Sequence, residues 1–282
     1  MGQHYLPQYY LRGFSPDFGQ LIWVYDKKKV SKICTQIKSV GNETKLYSDD
    51  LETHLANEIE APANVVLDKI RSYELLTQIE KETLSRYLFI LWKRVPEARK
   101  RFYSHVPSVL PEVERDVHSK IDQLVSEKPE LADLGEKRKM EVSTVLEGFI
   151  NTPPKDIWHR AIAADANPGA VTKALSEMMW LFMCGEGRGS FLTCDNPVFF
   201  FSDIGIGNAD SELTFPISSD IALFATRRKD LEEGYFSASK AIVNEVNRRT
   251  AFNSSRFVYS HQDKEWIIKF VTKGSWKLNR LL

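Results

Sequence analysis

His4, Gln8 and Arg12 recur at four-residue steps inside "HYLPQYYLRGFS", among Tyr5, Tyr9, Tyr10, Leu11 and Phe14. A neutral imidazole can act as a general base or ligate a metal near neutral pH, and a guanidinium can grip a phosphate or carboxylate with two hydrogen bonds. The flanking aromatics supply enough apolar area to seat the segment against a core. Buried polar groups need partners, so a docked segment must offer these three side chains to carboxylates, carbonyls, water or a ligand. The rival reading is an anchor, in which His4 and Arg12 pin the N-terminal helix through hydrogen bonds and an ion pair.

Asp195 and Asn196, ahead of Pro197, interrupt the apolar run "FLTCDNPVFFF". A carboxylate held at a strand end is placed for chemistry, yet Asx before Pro is also an ordinary turn former. Glu52 and Glu60 are eight residues apart, so an unbroken helix would rotate one from the other by about 80°. One straight helix therefore does not offer both to a single metal. Glu60 and Asp195 are the candidate oxygen ligands for Mg or Mn, and an acidic surface face, or a pairing of Glu52 or Glu60 with Arg12, is the alternative. Arg248 and Arg249, beside Asn244 and Asn247, could grip nucleic-acid phosphates or stand on a solvated face.

Several common chemistries lack their motifs. The glycines of "GEGRGS" and "DIGIGN" make neither a P-loop nor a dinucleotide fingerprint. The remaining histidines show no paired metal spacing, and no G-x-S-x-G elbow occurs. Cys34, Cys184 and Cys194 are odd in number and lack disulfide or metal spacing, which fits reduced thiols in a cytoplasm. Cys194 beside Asp195 reads as a buried small hydrophobe before a nucleophile. No signal peptide is seen, and the longest apolar runs are far below a membrane span, so no membrane partner is expected. Formal net charge is zero, which gives the whole molecule no field to attract polyanions, although the last quarter is basic.

These residues need elements to position them. Pro7 suits the first turn of a short helix, and "QLIWVYDK" followed by Val30 to Ile37 reads as a hairpin. A helix starts at Asp49 or Asp50, with Leu51, Leu55, Ile59, Val66 and Ile70 on one face; Pro62 should kink or split it near Glu58. Thr77 and Glu80 form a capping box for a helix that runs to a break at Pro96. Peripheral helices are predicted from Pro111 to about Ser126 and from Leu131 to Ile150. "PPKDIWHRAIA" and "GAVTKALSEMMWLFMCGE" read as two more helices, the second central. Short strands are predicted within Phe191 to Phe201, then strands in "LTFPIS" and "DIALFATRR", a helix from Ser237 or Ser239 to about Phe252, and strands in "RFVYSH" and "EWIIKFVT". Strands, then many helices, then strands with a helix indicate α+β, with the first hairpin joining a mixed or antiparallel C-terminal sheet and a large helical middle beside it. A single domain over 1–282 is expected, with sub-lobes at 1–48 plus 186–282 and at 49–185.

The opening "HYLPQYYLRGF", with "GQLIWVYDK", "KLYS", "LETHLANEIE", "WLFM" and "FLTCDNPV" in order, resembles the largely bacterial domain-of-unknown-function family 4238. The family's H-x-x-P-x-x-x-L motif maps onto His4, Pro7 and Leu11, its acidic helix onto Glu52 and Glu60, and its D-N-P element onto Asp195, Asn196 and Pro197. The chain departs at Pro62, just after the acidic segment, and at Cys194, where the family more often has Ser. The resemblance implies no established activity.

Three functions fit the residues. A metal-dependent hydrolase of a phosphodiester or nucleotide would use His4 as base or ligand, Asp195 and Glu60 on Mg or Mn, and Arg12 against phosphate, with Gln8 and Asn196 alongside. A non-catalytic interaction or sensor module of a bacterial operon would use the same polar residues as a structural network and take a protein partner. A nucleic-acid-binding protein without catalysis would instead use Arg248, Arg249, Arg256 and Lys269.

Overall fold

The computed structural model describes residues 2–44, 46, 48–152, 154, 156–164, 169–187, 190–201 and 203–281, and of Asp17 and Ala164 the backbone alone. Lys45 and Tyr47 of "KLYS" and Arg188 and Gly189 of "GEGRGS" lie outside the described residues. The fold is α+β, and the chain divides into two compact units, Met1–Val95 with Ala164–Leu282, and Pro96–Ala163. The sub-lobes expected at 1–48 plus 186–282 and at 49–185 have other bounds, because the first helices after the hairpin belong with the sheets.

In the larger unit, β1 (Gly2–His4) pairs antiparallel with β4 (Asn42–Thr44). Between them come α1 (Gln8–Arg12) and the predicted hairpin, β2 (Leu21–Asp26) and β3 (Ser31–Gln36). Pro7 precedes the first turn of α1, and its carbonyl accepts from the Leu11 N–H at 3.2 Å. The acidic helix α2 (Asp49–His54) passes into a π-helical turn, Leu55–Glu60, before α3 (Ala61–Arg71). Proline has no N–H to give, so the helix widens where Pro62 follows, near the predicted break at Glu58. The capping box holds at α4 (Gln78–Arg94): the Thr77 N–H donates to Glu80 Oε2 at 2.8 Å and the Glu80 N–H to Thr77 Oγ1 at 3.3 Å.

After α8 (Ala170–Ser176), "MWLFMC" is β5 (Met179–Cys184), where the sequence pattern predicts helix. A short apolar run carries no decisive period, and pairing on both sides settles it. β5 lies antiparallel to β9 (Ile221–Thr226) and parallel to β10 (Gly234–Ser237), a strand the sequence reading did not foresee. With β8 (Glu212–Pro216) and β7 (Phe199–Phe200) they form a five-stranded sheet in the order β10-β5-β9-β8-β7. The first hairpin joins the C-terminal strands as expected: β3-β2-β11-β6 is a four-stranded sheet, with β6 at Thr193–Cys194 and β11 at Phe257–Ser260. Helix α9 (Lys240–Asn253) is capped by Ser239, whose side chain accepts from the Ile242 N–H. "EWIIKFVT", predicted as strand, is helix α10 (Glu265–Val271), burying Ile267 and Val271 four residues apart while Trp266 stays exposed.

The smaller unit is a helical hairpin. α5 (Pro96–Glu127) begins at the proline expected to break the preceding helix and carries Pro107 and Pro111 inside it. It pairs with α6 (Ala132–Asn151), Lys139 meeting Asp122 at 2.5 Å and the His118 ring meeting the Lys139 carbonyl at 3.2 Å. Gly135 is required there, since a Cβ would lie 2.7 Å from Val125 Cγ2. α7 (Ile157–Ala164) buries Trp158, with the Arg99 guanidinium 5.6 Å above its ring.

Candidate functional site: a polar cavity at the end of the first helix

The three residues spaced by four do not converge on one partner. His4, on β1, is half-buried; its ring bonds to the Lys38 carbonyl, and its Nε2 is buried without a partner. Burial holds its imidazole below the ordinary histidine value, against the Lys38 carbonyl and the Glu60 charge, which favour the cation. Gln8 is half-buried on α1, outside the cavity described below. The π-helical turn brings Glu60 to Arg94, whose Nη1 donates at 2.6 Å while its Nε donates to the Tyr5 carbonyl at 2.9 Å. Arg94, not Arg12, is thus the cation that fixes the acidic helix to the N-terminal segment. Glu52 accepts the His4 main-chain N–H, and burial pushes its carboxyl up.

Asp195 staples two strands. Its Oδ1 accepts from the Ser255 N–H at 2.8 Å, and its Oδ2 from the N–H groups of Arg256 and Phe257 at 2.8 and 2.9 Å. Asn196 exchanges hydrogen bonds with Asn253: its Nδ2 reaches the Asn253 carbonyl at 3.2 Å, and Asn253 Nδ2 reaches the Asn196 carbonyl at 2.6 Å. The hydrogen-bond partners of Asp195 are not those of His4. With Asp195 spent on backbone donors and Glu60 on Arg94, this donor set does not fit Mg or Mn. Among the described residues no group of three or more His, Cys, Asp and Glu is placed to hold a metal. Cys194 is fully buried, which pushes its thiol far up.

The basic pair on α9 is largely spent too. Arg249 is wholly buried, donates to Glu212 at 2.5 Å and to the Asn279 carbonyl at 2.7 Å, and lies over the rings of Phe199 and Phe201. It cannot reach a nucleic-acid backbone. Arg248 pairs with Glu245 at 2.6 Å, and Arg256 with Asp26 at 2.7 Å.

Arg12 is different. It ends α1 and lines a cavity of about 420 Å³ together with Arg71, from the end of α3, and His261, just after β11. Arg12 Nε, Arg71 Nε and His261 Nδ1 are all buried without a hydrogen-bond partner. The far wall is the β8–β9 turn, Ser218, Ser219 and Asp220. Ser218 Oγ donates to Asp220 Oδ1 at 2.8 Å and accepts the Ile221 N–H at 3.2 Å. The wall is tied to α1 through the Ser219 N–H, which donates to the Gly13 carbonyl at 2.8 Å. A Cβ on Gly13 would sit 2.8 Å from both Arg71 Nη2 and the Ile217 carbonyl, so only glycine admits this approach. Arg71 also contacts Asp68 at 3.4 Å and lies 4.8 Å above the ring of Phe18. The lining holds two guanidiniums and one carboxylate, Asp220, while Asp68 engages Arg71 from outside it, which leaves Arg12 as the cation best placed for an anion. Sequence reasoning found Arg12 but missed Arg71, Ser219 and His261, which carry no shared motif and meet only through the fold.

A larger cavity, about 750 Å³, is lined by Glu58, Glu82 and Glu177 against Arg86 and Lys173. Carboxylates outnumber cations there, and Lys173 already faces Glu177 at 3.8 Å, so it lacks the anion-binding character of the first.

Comparison with known proteins rests on one family, described as a protein of unknown function (DUF4238), whose profile matches residues 2–264. The chain belongs to the DUF4238 family. No curated protein and no solved structure matches it. Every residue lining the Arg12 cavity lies within the DUF4238 match. His4, Glu60 and Asp195 hold the N-terminal segment and the strand ends together. Among the described residues, no helix is long and apolar enough to cross a membrane.

Proposed function

We propose that this chain recognises a phosphate-bearing small molecule, a phosphodiester or a nucleotide, in the Arg12 cavity, and acts as a sensor or interaction module. The observation that carries this reading is the pair of guanidiniums, Arg12 and Arg71, lining one cavity, each with a buried Nε that has no acceptor. An unpartnered buried donor is costly, and a phosphate has the oxygens to satisfy both in the charge-assisted geometry that guanidinium favours. Ser219 and His261 add further hydrogen-bonding capacity, and the volume suits a small ligand. Free thiols at Cys34, Cys184 and Cys194 fit a reducing cytoplasm. The test is calorimetric titration with AMP. Binding is expected in the wild type and a loss of about tenfold or more in Arg12→Met, the value of a charge-assisted hydrogen bond. Equal binding by both proteins contradicts the reading.

Hydrolysis of the bound ester is a second reading, favoured by His261, which lines the same cavity as Asp220 and has a buried Nδ1 without a hydrogen-bond partner. Turnover of bis-p-nitrophenyl phosphate that His261→Gln abolishes supports it, and absence of turnover leaves recognition alone.

A further inference from the structure

Phe18 is at odds with its surroundings in two ways. Its backbone is left-handed, with φ of 56°, a conformation that bulky L-residues rarely adopt. It also keeps 40 % of its surface exposed although it is a large aromatic. Both facts have a local cause. Phe18 ends the 3-10 turn Pro16–Phe18, whose Gly19 N–H closes back on the Pro16 carbonyl at 2.9 Å. That turn delivers the ring to the edge of the Arg12 cavity, which Phe18 lines. The ring is held from two sides. Tyr9 meets it edge-on at 5.5 Å, and the Arg71 guanidinium stands 4.8 Å over it. Tyr9 is itself fixed by a hydrogen bond to Asp68, the carboxylate that also contacts Arg71. Burial alone does not explain an exposed aromatic kept in a costly backbone conformation, and such strain persists where surrounding contacts impose it.

Resting on the phosphate-binding reading above, we propose that the ligand is a nucleotide, its base stacked on the Phe18 ring beside Arg71 and its phosphate on Arg12. An aromatic face and a guanidinium plane form the platform on which nucleobases stack regardless of sequence. The phosphate end meets Arg12 and the Ser219 wall, and the cavity spans both ends. A bare sugar phosphate would satisfy the cations but leave the ring uncovered.

The experiment compares AMP with ribose 5-phosphate on full-length wild type, Phe18→Leu and Phe18→Trp, by calorimetric titration. In the wild type AMP is expected to bind about tenfold tighter than ribose 5-phosphate, the worth of one stacked base. Phe18→Leu, which keeps apolar bulk without a ring, is expected to weaken AMP by about tenfold more than ribose 5-phosphate and so bring the two ligands to parity. Phe18→Trp restores the preference. Equal affinities in the wild type, or a preference that survives in Phe18→Leu, overturn the nucleotide assignment while phosphate recognition stands. Binding of neither ligand overturns both.

Discussion

Arg12 and Arg71, from the ends of two different helices, line one cavity, and each holds a buried Nε with no acceptor. The two are not equivalent. Arg71 is mostly buried, and it touches Asp68 and lies near the rings of Tyr9 and Phe18. Arg71→Met is therefore expected to weaken phosphate binding and also to lower the unfolding midpoint, whereas Arg12→Met should weaken binding with a smaller loss of stability. Thermal melts of the two variants, read beside their AMP titrations, separate the roles.

Gly13 sets the approach of Arg71 to α1. In Gly13→Ala the new methyl meets the Ile217 carbonyl, a backbone atom that cannot swing aside. A cost of about 1–3 kcal/mol is expected, together with weaker AMP binding, measurable by urea denaturation and calorimetry.

Arg94 is buried in its pairing with Glu60 and the Tyr5 carbonyl. Removing one partner leaves the other charge uncompensated, so Arg94→Met should destabilise the fold by about 3–5 kcal/mol. Urea denaturation gives the value, and a change below about 1 kcal/mol would mean that the pair is not a structural clamp.

Asp195→Asn should act on stability and not on metal dependence. Three main-chain donors converge on the carboxylate, and an amide nitrogen facing them costs about 3 kcal/mol. Mg or Mn added to the wild type is expected to leave the melting temperature unchanged.

Burial keeps the His4 imidazole below its ordinary value. The unfolded chain therefore takes up the proton more readily, and this contribution to stability is fully present above about pH 6.5 and lost as the pH falls through the folded value. Denaturation midpoints should fall between about pH 7.5 and 5.5, and His4→Asn should flatten part of that fall.

Much of the fold was legible because its signals are local. The Thr77–Glu80 capping box, the β2–β3 hairpin and the break before Pro62 each depend on residues a few positions apart. The errors came where tertiary pairing decides. Met179–Cys184 becomes strand because β9 and β10 flank it, and Glu265–Val271 becomes helix because Ile267 and Val271 share one buried face. The site was half legible. Arg12 stood out by its setting among aromatics, but Arg71 looks like the last basic residue of any helix, and the serine turn and His261 gain meaning only where two sheets bring them to the same cavity. Asp195 and His4 stood out because a strict structural role marks residues in the same way as a chemical one.

Anomalous diffraction from crystals soaked in tungstate, a tetrahedral oxyanion, tests the central claim most directly. The expected result is a tungsten peak within hydrogen-bond reach of both Arg12 and Arg71, absent in Arg12→Met. A cavity without a peak, beside well-occupied tungstate elsewhere on the surface, would contradict phosphate recognition at this site.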